Sequence, residues 1–334
     1  MSDRRLAMGI PLQHVPLHTQ RDWFAELEDL GYRDLWSNEA YGVDGFTPLA
    51  LASAWTTSVR LGCAVHPIQT RGPAIFAQSA AGLAQAAPGR FVLGIGSSSP
   101  TIVERWNAVP FEKPYQRMRD GLRFLRAALA GERIDHEYET FAVRRFQLAT
   151  PVDPSPPIFV AALRPQMLAL AGREADGVIL NWVTVEDMPK IRAAIREGIE
   201  GRSAGAGKAD ADTDIEVALR IMVCVDEDLG AVREIGRYAM TGTLTAPAYR
   251  AQQEWLGRTG ALDEMWQAWA RGDRKEALRS IPEKTIEDLI IIGPLETCRE
   301  RIAAYFDAGV DTIILEAGAH RGDIQQLSRD LAPR

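Results

Sequence analysis

Short β-rich runs alternating with amphipathic helical segments predict an α/β fold, a TIM (β/α)8 barrel with insertions. Three observations carry this reading. Apolar runs occur at 6–10, 34–37, 59–65, 91–96, 157–161, 177–181, 216–225 and 311–315, which is the strand count of such a barrel. Helical segments separate them, as parallel strands require, because the chain must cross back before the next strand can pair. One join also recurs: LGYRDLWSNE at 30–39, EADGVILNW at 174–182 and AGVDTIILEAG at 308–318 each end a helix near Gly and open a strand around Asp. A chain of 334 residues then reads as one decorated barrel domain, 1–334, with insertions at about 97–113, 132–156 and 228–292.

LAMGI at 6–10 is the first strand. A helix is expected from about Thr19 to Leu30, with Thr19 as N-cap, Trp23, Leu27 and Leu30 at helical spacing, and Gly31 ending it in the left-handed region. The strand at 34–37 runs into WSNEAYG, which places Glu39 and Tyr41 at the strand's C-terminal end, where barrel active sites are built. CAVHPIQTR places His66 just past the third strand; it reads equally as a site residue or as a satisfied structural histidine. GIGSSS at 94–99 imitates a dinucleotide fingerprint, but Ser99 and Pro100 stand where that motif needs a glycine and an opening helix. Its three hydroxyls offer a cradle for a polar tail, or form an ordinary turn.

The first insertion holds Trp106 and Phe111, and the second ends on prolines 154, 156 and 157. After the fifth strand, ALRPQ puts Pro165 at the first helical position, leaving backbone N–H groups free beside the charge of Arg164, a reading that favours phosphate. GAGKADADTD at 205–214 reads as an exposed loop without function. The late insertion is mostly helical and serves as a wall or lid; Trp266 and Trp269, at i, i+3, read as its core, and Trp255 lies nearby. His320 past the eighth strand is a weaker candidate, and His14, His18 and His136 are structural or surface residues.

Composition narrows the function. Lys plus Arg number 38 against 45 Asp plus Glu, a net charge of −7, and no dense basic block exists to bind a phosphate backbone, so nucleic acid is not the expected partner. No apolar run reaches the roughly 18 residues of a membrane span, and the start of the chain lacks the apolar stretch of a secretory signal, so a cytoplasmic protein is expected. Three scattered cysteines fit reduced, buried thiols better than a disulfide or a metal cluster. With no GxSxG, CxxC or HExxH, the reaction chemistry is expected to come from a bound cofactor acting on a small-molecule substrate.

The segments WSNEAYGVDGFTPLALASAWTTSVRLGCAV, GRFVLGIGSSSPTIVERWNAVPFEKPYQRMRD, ALRPQMLALAGREADGVILNW and DLIIIGPLETCRERIAAYFDAGVDTIIL resemble the luciferase-like monooxygenase superfamily. Within it they are most similar to the coenzyme F-420-dependent oxidoreductases, such as methylenetetrahydromethanopterin reductase. The resemblance implies a homodimeric barrel with a flavin or deazaflavin at its C-terminal mouth. It also implies a non-prolyl cis peptide in strand three, at Cys63–Ala64 or, preferred, Ala64–Val65, forming a bulge behind the ring. It further implies that Glu39 lies near that ring, and that Ser97 and Ser98, with Ala161, Ala162, Leu163 and Arg164, hold the ribityl and phosphate end. Some relatives carry Asp-His where this chain has Glu39-Ala40, so that histidine's role does not transfer and His66 is the substitute. Glu39, Tyr41 and His66 are then the candidate proton donors. Three readings stand: hydride transfer with F-420, an FMN-dependent monooxygenase, and a non-catalytic flavin-binding protein.

Overall fold

Eight parallel strands close on themselves in the computed structural model, which describes residues 4–203 and 215–333. They are β1 (Arg5–Gly9), β2 (Asp34–Ser37), β3 (Arg60–Cys63), β4 (Phe91–Gly96), β5 (Ile158–Ala161), β6 (Gly177–Asn181), β7 (Glu216–Val225) and β8 (Thr312–Glu316). Each pairs with the next, and β8 pairs with β1 through Arg5–Thr312 to Met8–Leu315, so the predicted barrel is present. The expected loop at 205–214 lies outside the described residues.

Local chemistry explains most boundaries. Gly31 has φ +91° and its N–H reaches Glu28 O, while Tyr32 N–H reaches Leu27 O; this is the left-handed helix end the glycine predicts. The start of that helix differs from expectation. It runs Arg21–Asp29 with Gln20 as N-cap, because Thr19 closes a preceding 3-10 turn and spends its hydroxyl on Pro16 O at 2.8 Å. Pro165 does open its helix, Pro165–Glu174.

The third strand is shorter than the expected 59–65. Pairing of β3 with β2 stops at Cys63, the Ala64–Val65 peptide is cis, and His66–Pro67 then resumes pairing with β4 at Ile95 and Gly96. Gly96 makes room for this bulge: a Cβ there would lie 2.2 Å from Val65 Cγ2.

Each of the three stretches contains secondary structure of its own. Residues 97–113 contain a π-helical turn, Thr101–Trp106, and Trp106 is 55% exposed, so it is neither core nor pocket lining. Residues 132–156 contain an antiparallel hairpin, Ile134–Glu137 with Ala142–Phe146. Five helices fill 229–289, and the strand Ile291–Gly293, absent from the sequence reading, extends the sheet beside the C-terminal half of β7. This insertion has its own core, in which Trp266 is buried and Trp269 half-buried, while Trp255 packs against the main core. Cys63, Cys224 and Cys298 are buried free thiols, and His14, His18 and His136 are exposed, as expected.

Alternation along the strands sorts the barrel interior into tiers. The lower tier is charged and comes from strand starts: Arg5, Asp34, Arg60, Glu216 and Thr312. The middle tier is apolar, with Trp36, Phe159, Ile179 and Ile314 among its members. Gly62 and Gly177 permit the two large rings, since a Cβ at either would lie 2.6 Å from the Trp36 or Phe159 ring. The upper tier, at the strand ends, is small or polar: Gly9, Gly96, Ala161, Asn181 and Glu316.

Candidate active site at the barrel mouth

The loop after β2 and the loop after β3 converge on one cluster. Glu39 receives Arg71 Nη1 on Oε1 at 2.5 Å and the Gly45 N–H on Oε2 at 2.9 Å, and His66 Nδ1 lies 3.3 Å from the same Oε2. Loop 38–45 is pinned to β2 by the Ser37 hydroxyl, which donates to Gly45 O at 2.7 Å. It fits against β3 only because residue 45 is Gly, whose Cβ would sit 2.7 Å from His66 Cε1 and 2.8 Å from Cys63 Sγ. Phe46 stacks on the His66 ring at 3.8 Å, and the Arg71 guanidinium lies over Phe46 at 5.1 Å.

These contacts fix protonation. Burial disfavours the Glu39 carboxylate, but hydrogen bonds from His66, Arg71 and the Gly45 amide outweigh it and hold the group down at about pKa 2. Burial pushes His66 down from its ordinary value, against the pull of Glu39. The consistent state is an ionised Glu39 beside a neutral His66 that donates from Nδ1, leaving the buried Nε2 without a partner among the described residues. Burial also raises the Cys63 thiol far above its usual range.

The sequence candidates therefore separate. Ala64, Val65 and Ala161 lie against the inner tier, whereas Cys63 turns its side chain into the helix-facing core and can offer the mouth only its backbone. His66 is fully buried under Phe46, so it supports Glu39 instead of facing the mouth. Tyr41 is 77% exposed on the loop tip. Ser97 and Ser98 are half-buried, Ser98 has φ +60°, and neither hydroxyl has a partner among the described residues; Ser99 instead accepts the Ile102 N–H at 3.4 Å. Ala162 and Leu163 lead into Arg164, which is exposed, extended, and unpaired among the described residues at the N-cap of its helix. His320 lies 3.8 Å from Cys224 Sγ, beside the helical insertion.

Sequence reasoning missed Arg71, Arg220, Asn181, Tyr249 and Glu316. Arg71 stood inside a quoted segment, but nothing in the sequence signals that residue 71 returns to residue 39. Arg220 and Glu316 pair across β7 and β8, Nε to Oε1 at 2.8 Å. The late insertion reaches the rim through helix Pro247–Trp255: Gln252 and Gln253 each donate to the backbone after β6, at Asn181 O and Trp182 O, both at 2.9 Å. It is a fastened wall.

A cleft of about 660 Å3 lies elsewhere, between Thr184–Glu186, the start of the helical insertion and helix Leu295–Asp307. Its arginines are engaged, Arg233 with Glu287 and Arg301 with Ile290 O, and none of the candidate residues lines it.

The architecture is that of a closed (β/α)8 barrel with a bulged third strand and a mouth floored by small residues. The chain belongs to the luciferase-like monooxygenase family, whose sequence model matches residues 4–312. It is similar to 5,10-methylenetetrahydromethanopterin reductase of Archaeoglobus fulgidus, at 26% identity over 98% of this chain and 99% of that protein. It is also similar to the F-420-dependent glucose-6-phosphate dehydrogenase of Rhodococcus erythropolis, at 27% identity over 87% of this chain and 84% of that protein. In fold it resembles the coenzyme F-420 dependent tetrahydromethanopterin reductase of Methanopyrus kandleri, with a TM-score of 0.78 at 20% identity, covering 99% of this chain and 97% of that one.

Proposed function

We propose that this protein is an oxidoreductase of the F-420-dependent branch of its family, moving a hydride between the deazaflavin and a small organic substrate at the barrel mouth. The observation that carries the reading is the platform at the strand ends. Ala64, Val65, Gly96 and Ala161 present little beyond backbone and methyl groups where every neighbouring tier is filled by side chains. A flat tricyclic ring suits such a floor, and a Cβ on Gly96 would displace it by running into Val65, 2.2 Å from Cγ2. When bound, the deazaflavin supplies the two-electron chemistry, because carbon in place of the reactive flavin nitrogen restricts it to hydride transfer. One relative is named as a methylenetetrahydromethanopterin reductase and another as an F-420-dependent glucose-6-phosphate dehydrogenase, which supports a reading in which a common barrel carries walls that set the substrate.

The chain's own residues orient and shield. The backbone at Cys63, with Ala64 and Val65, backs the ring; Ser97, Ser98 and the Ala161–Arg164 turn receive the polar tail with free hydroxyls, the Gln166 N–H and one positive charge, the Met167 N–H being already spent on Arg164 O at 3.0 Å. Glu39 is ionised, so it accepts hydrogen bonds and does not deliver protons at neutral pH. With His66 sealed beneath it, Tyr41 is the candidate whose hydroxyl is free to donate a proton. We read the chain as one barrel domain, acting as a cytoplasmic homodimer.

The test is titration of the purified protein with F-420 and with FMN, followed by fluorescence, with oxygen uptake measured in the presence of a reductant. Expected is F-420 binding at least about tenfold tighter than FMN and no oxygen consumption. FMN binding with oxygen uptake would replace this reading by a monooxygenase; binding without turnover across a substrate panel would favour a non-catalytic flavin-binding protein.

A further inference from the structure

One cation stands on the inner face of β7 at the level of the mouth. Arg220 is 24% exposed and makes a single hydrogen bond among the described residues, from Nε to Glu316 Oε1. Its two terminal amino groups, with four of the five N–H donors of a guanidinium, have no protein acceptor there. Arg60, in the lower tier of the same barrel, uses Nε and both terminal nitrogens on Asp34, Glu216 and Thr312. The contrast is one of construction. Gly9 clears the space for the Arg220–Glu316 pair, since a Cβ there would lie 2.9 Å from Glu316 Oε1. Asn181 stands at the Arg220 register on β6 and donates from Nδ2 to the Tyr249 hydroxyl at 3.5 Å, so a polar rim surrounds the free guanidinium edge. Tyr41 and Tyr249 both lie within its electrostatic reach.

A guanidinium held inside a barrel by one carboxylate, with its fork left open, is poorly compensated unless an acceptor meets it. Glu316 engages Nε and leaves the terminal edge of the fork without an acceptor among the described residues. We propose that Arg220 is a ligand-recognition residue whose open edge binds an oxygen acceptor, a carbonyl or carboxylate, of a molecule seated in the mouth. The proposed function enters only in naming that molecule. The oxygen belongs either to the pyrimidinedione carbonyls of the deazaflavin or to a carbonyl or carboxylate of the substrate.

Two variants test this: Arg220→Lys, which keeps the charge and removes the fork, and the double variant Arg220→Met with Glu316→Gln, which leaves no buried charge unpaired. Circular dichroism and thermal melts establish folding, and the double variant decides if the lysine protein folds poorly. Titrations use F-420, FMN, and a panel of acetate, lactate and benzoate with their amides, the panel added to protein saturated with F-420. A rise of about tenfold or more in the F-420 dissociation constant in both variants assigns the acceptor to the cofactor. An unchanged F-420 constant, with wild-type binding of a carboxylate over its amide that the variants lose, assigns it to the substrate. If neither cofactor binds the wild type and the Arg220-dependent carboxylate binding persists, the F-420 reading falls and this one stands. Variants that match the wild type for every ligand overturn it.

Discussion

The two ends of the barrel interior use the same residue types to opposite effect. At the lower end, Arg5, Asp34, Arg60, Glu216 and Thr312 are the first residues of their strands and saturate one another: Arg60 alone makes two contacts to Asp34, two to Glu216 and one to Thr312. At the upper end, Arg220 and Glu316 meet through one bond, and the positions around them are Gly9, Gly96 and Ala161. A closed network needs nothing further, so it stabilises; an open one is completed by a ligand, so it recognises. The middle tier of Trp36 and Phe159 separates the two.

The largest expected effect lies at the closed end. Arg60→Met leaves Asp34 with Arg5 alone and the half-buried Glu216 without its cation, and should cost up to about 3–5 kcal/mol in urea denaturation. F-420 affinity of the fraction that remains folded should not change. Loss of affinity without loss of stability would erase the division between the ends.

Next in size is acid sensitivity at the mouth. Both His66 and Glu39 have lowered values in the folded state, so the unfolded chain binds more protons and stability rises with pH. Glu39's share is present above its ordinary pKa and is lost as pH falls from about 4.5 towards 2. His66 adds a loss that begins below its ordinary value of about 6.5. The Glu39 shift amounts to at most about 3 kcal/mol, so Glu39→Gln should flatten the acid limb of a stability–pH curve. An unchanged acid limb would mean that the carboxylate is not held by Arg71 and His66.

Gly96→Ala comes third. The new methyl would sit 2.2 Å from Val65 Cγ2, so the bulge must move, at about 1–3 kcal/mol of overpacking. F-420 affinity should fall by about tenfold or more, since the platform itself is displaced. A stable variant with wild-type affinity would place the ring somewhere else.

What was legible in the sequence followed from periodicity and from chain-local chemistry. The strands, the glycine helix end at Gly31 and the proline helix start at Pro165 all depend on neighbours within a few residues, whereas the break at Ala64–Val65 was expected only from the family resemblance. The charged partners were not legible, because Glu39 with Arg71, Arg220 with Glu316, and Asp34 with Arg60 and Glu216 are joined only once the barrel closes. Thr19 misled for a related reason: it lies inside the 3-10 turn Leu17–Thr19, where its hydroxyl donates to Pro16 O instead of accepting a helix N–H. The strand Ile291–Gly293 was absorbed into a helical insertion because three residues carry no period.

The smallest effect tests the rim. Arg164 is exposed and unpaired at the N-cap of helix Pro165–Glu174, so removing its charge breaks nothing in the protein, and Arg164→Ala should change stability by less than about 0.5 kcal/mol. If the Gln166 N–H of that helix and the Ser97 and Ser98 hydroxyls hold the phosphate end of the cofactor, the variant should weaken F-420 binding a few-fold, and the difference should vanish at high salt. That is the behaviour of an exposed charge acting through solvent, and it differs from the buried fork of Arg220, whose contribution salt should barely touch. Comparing the two variants across ionic strength separates steering at the rim from recognition at the floor. Equal salt dependence would mean that Arg220 is wetter than its seat between β7 and β8 implies.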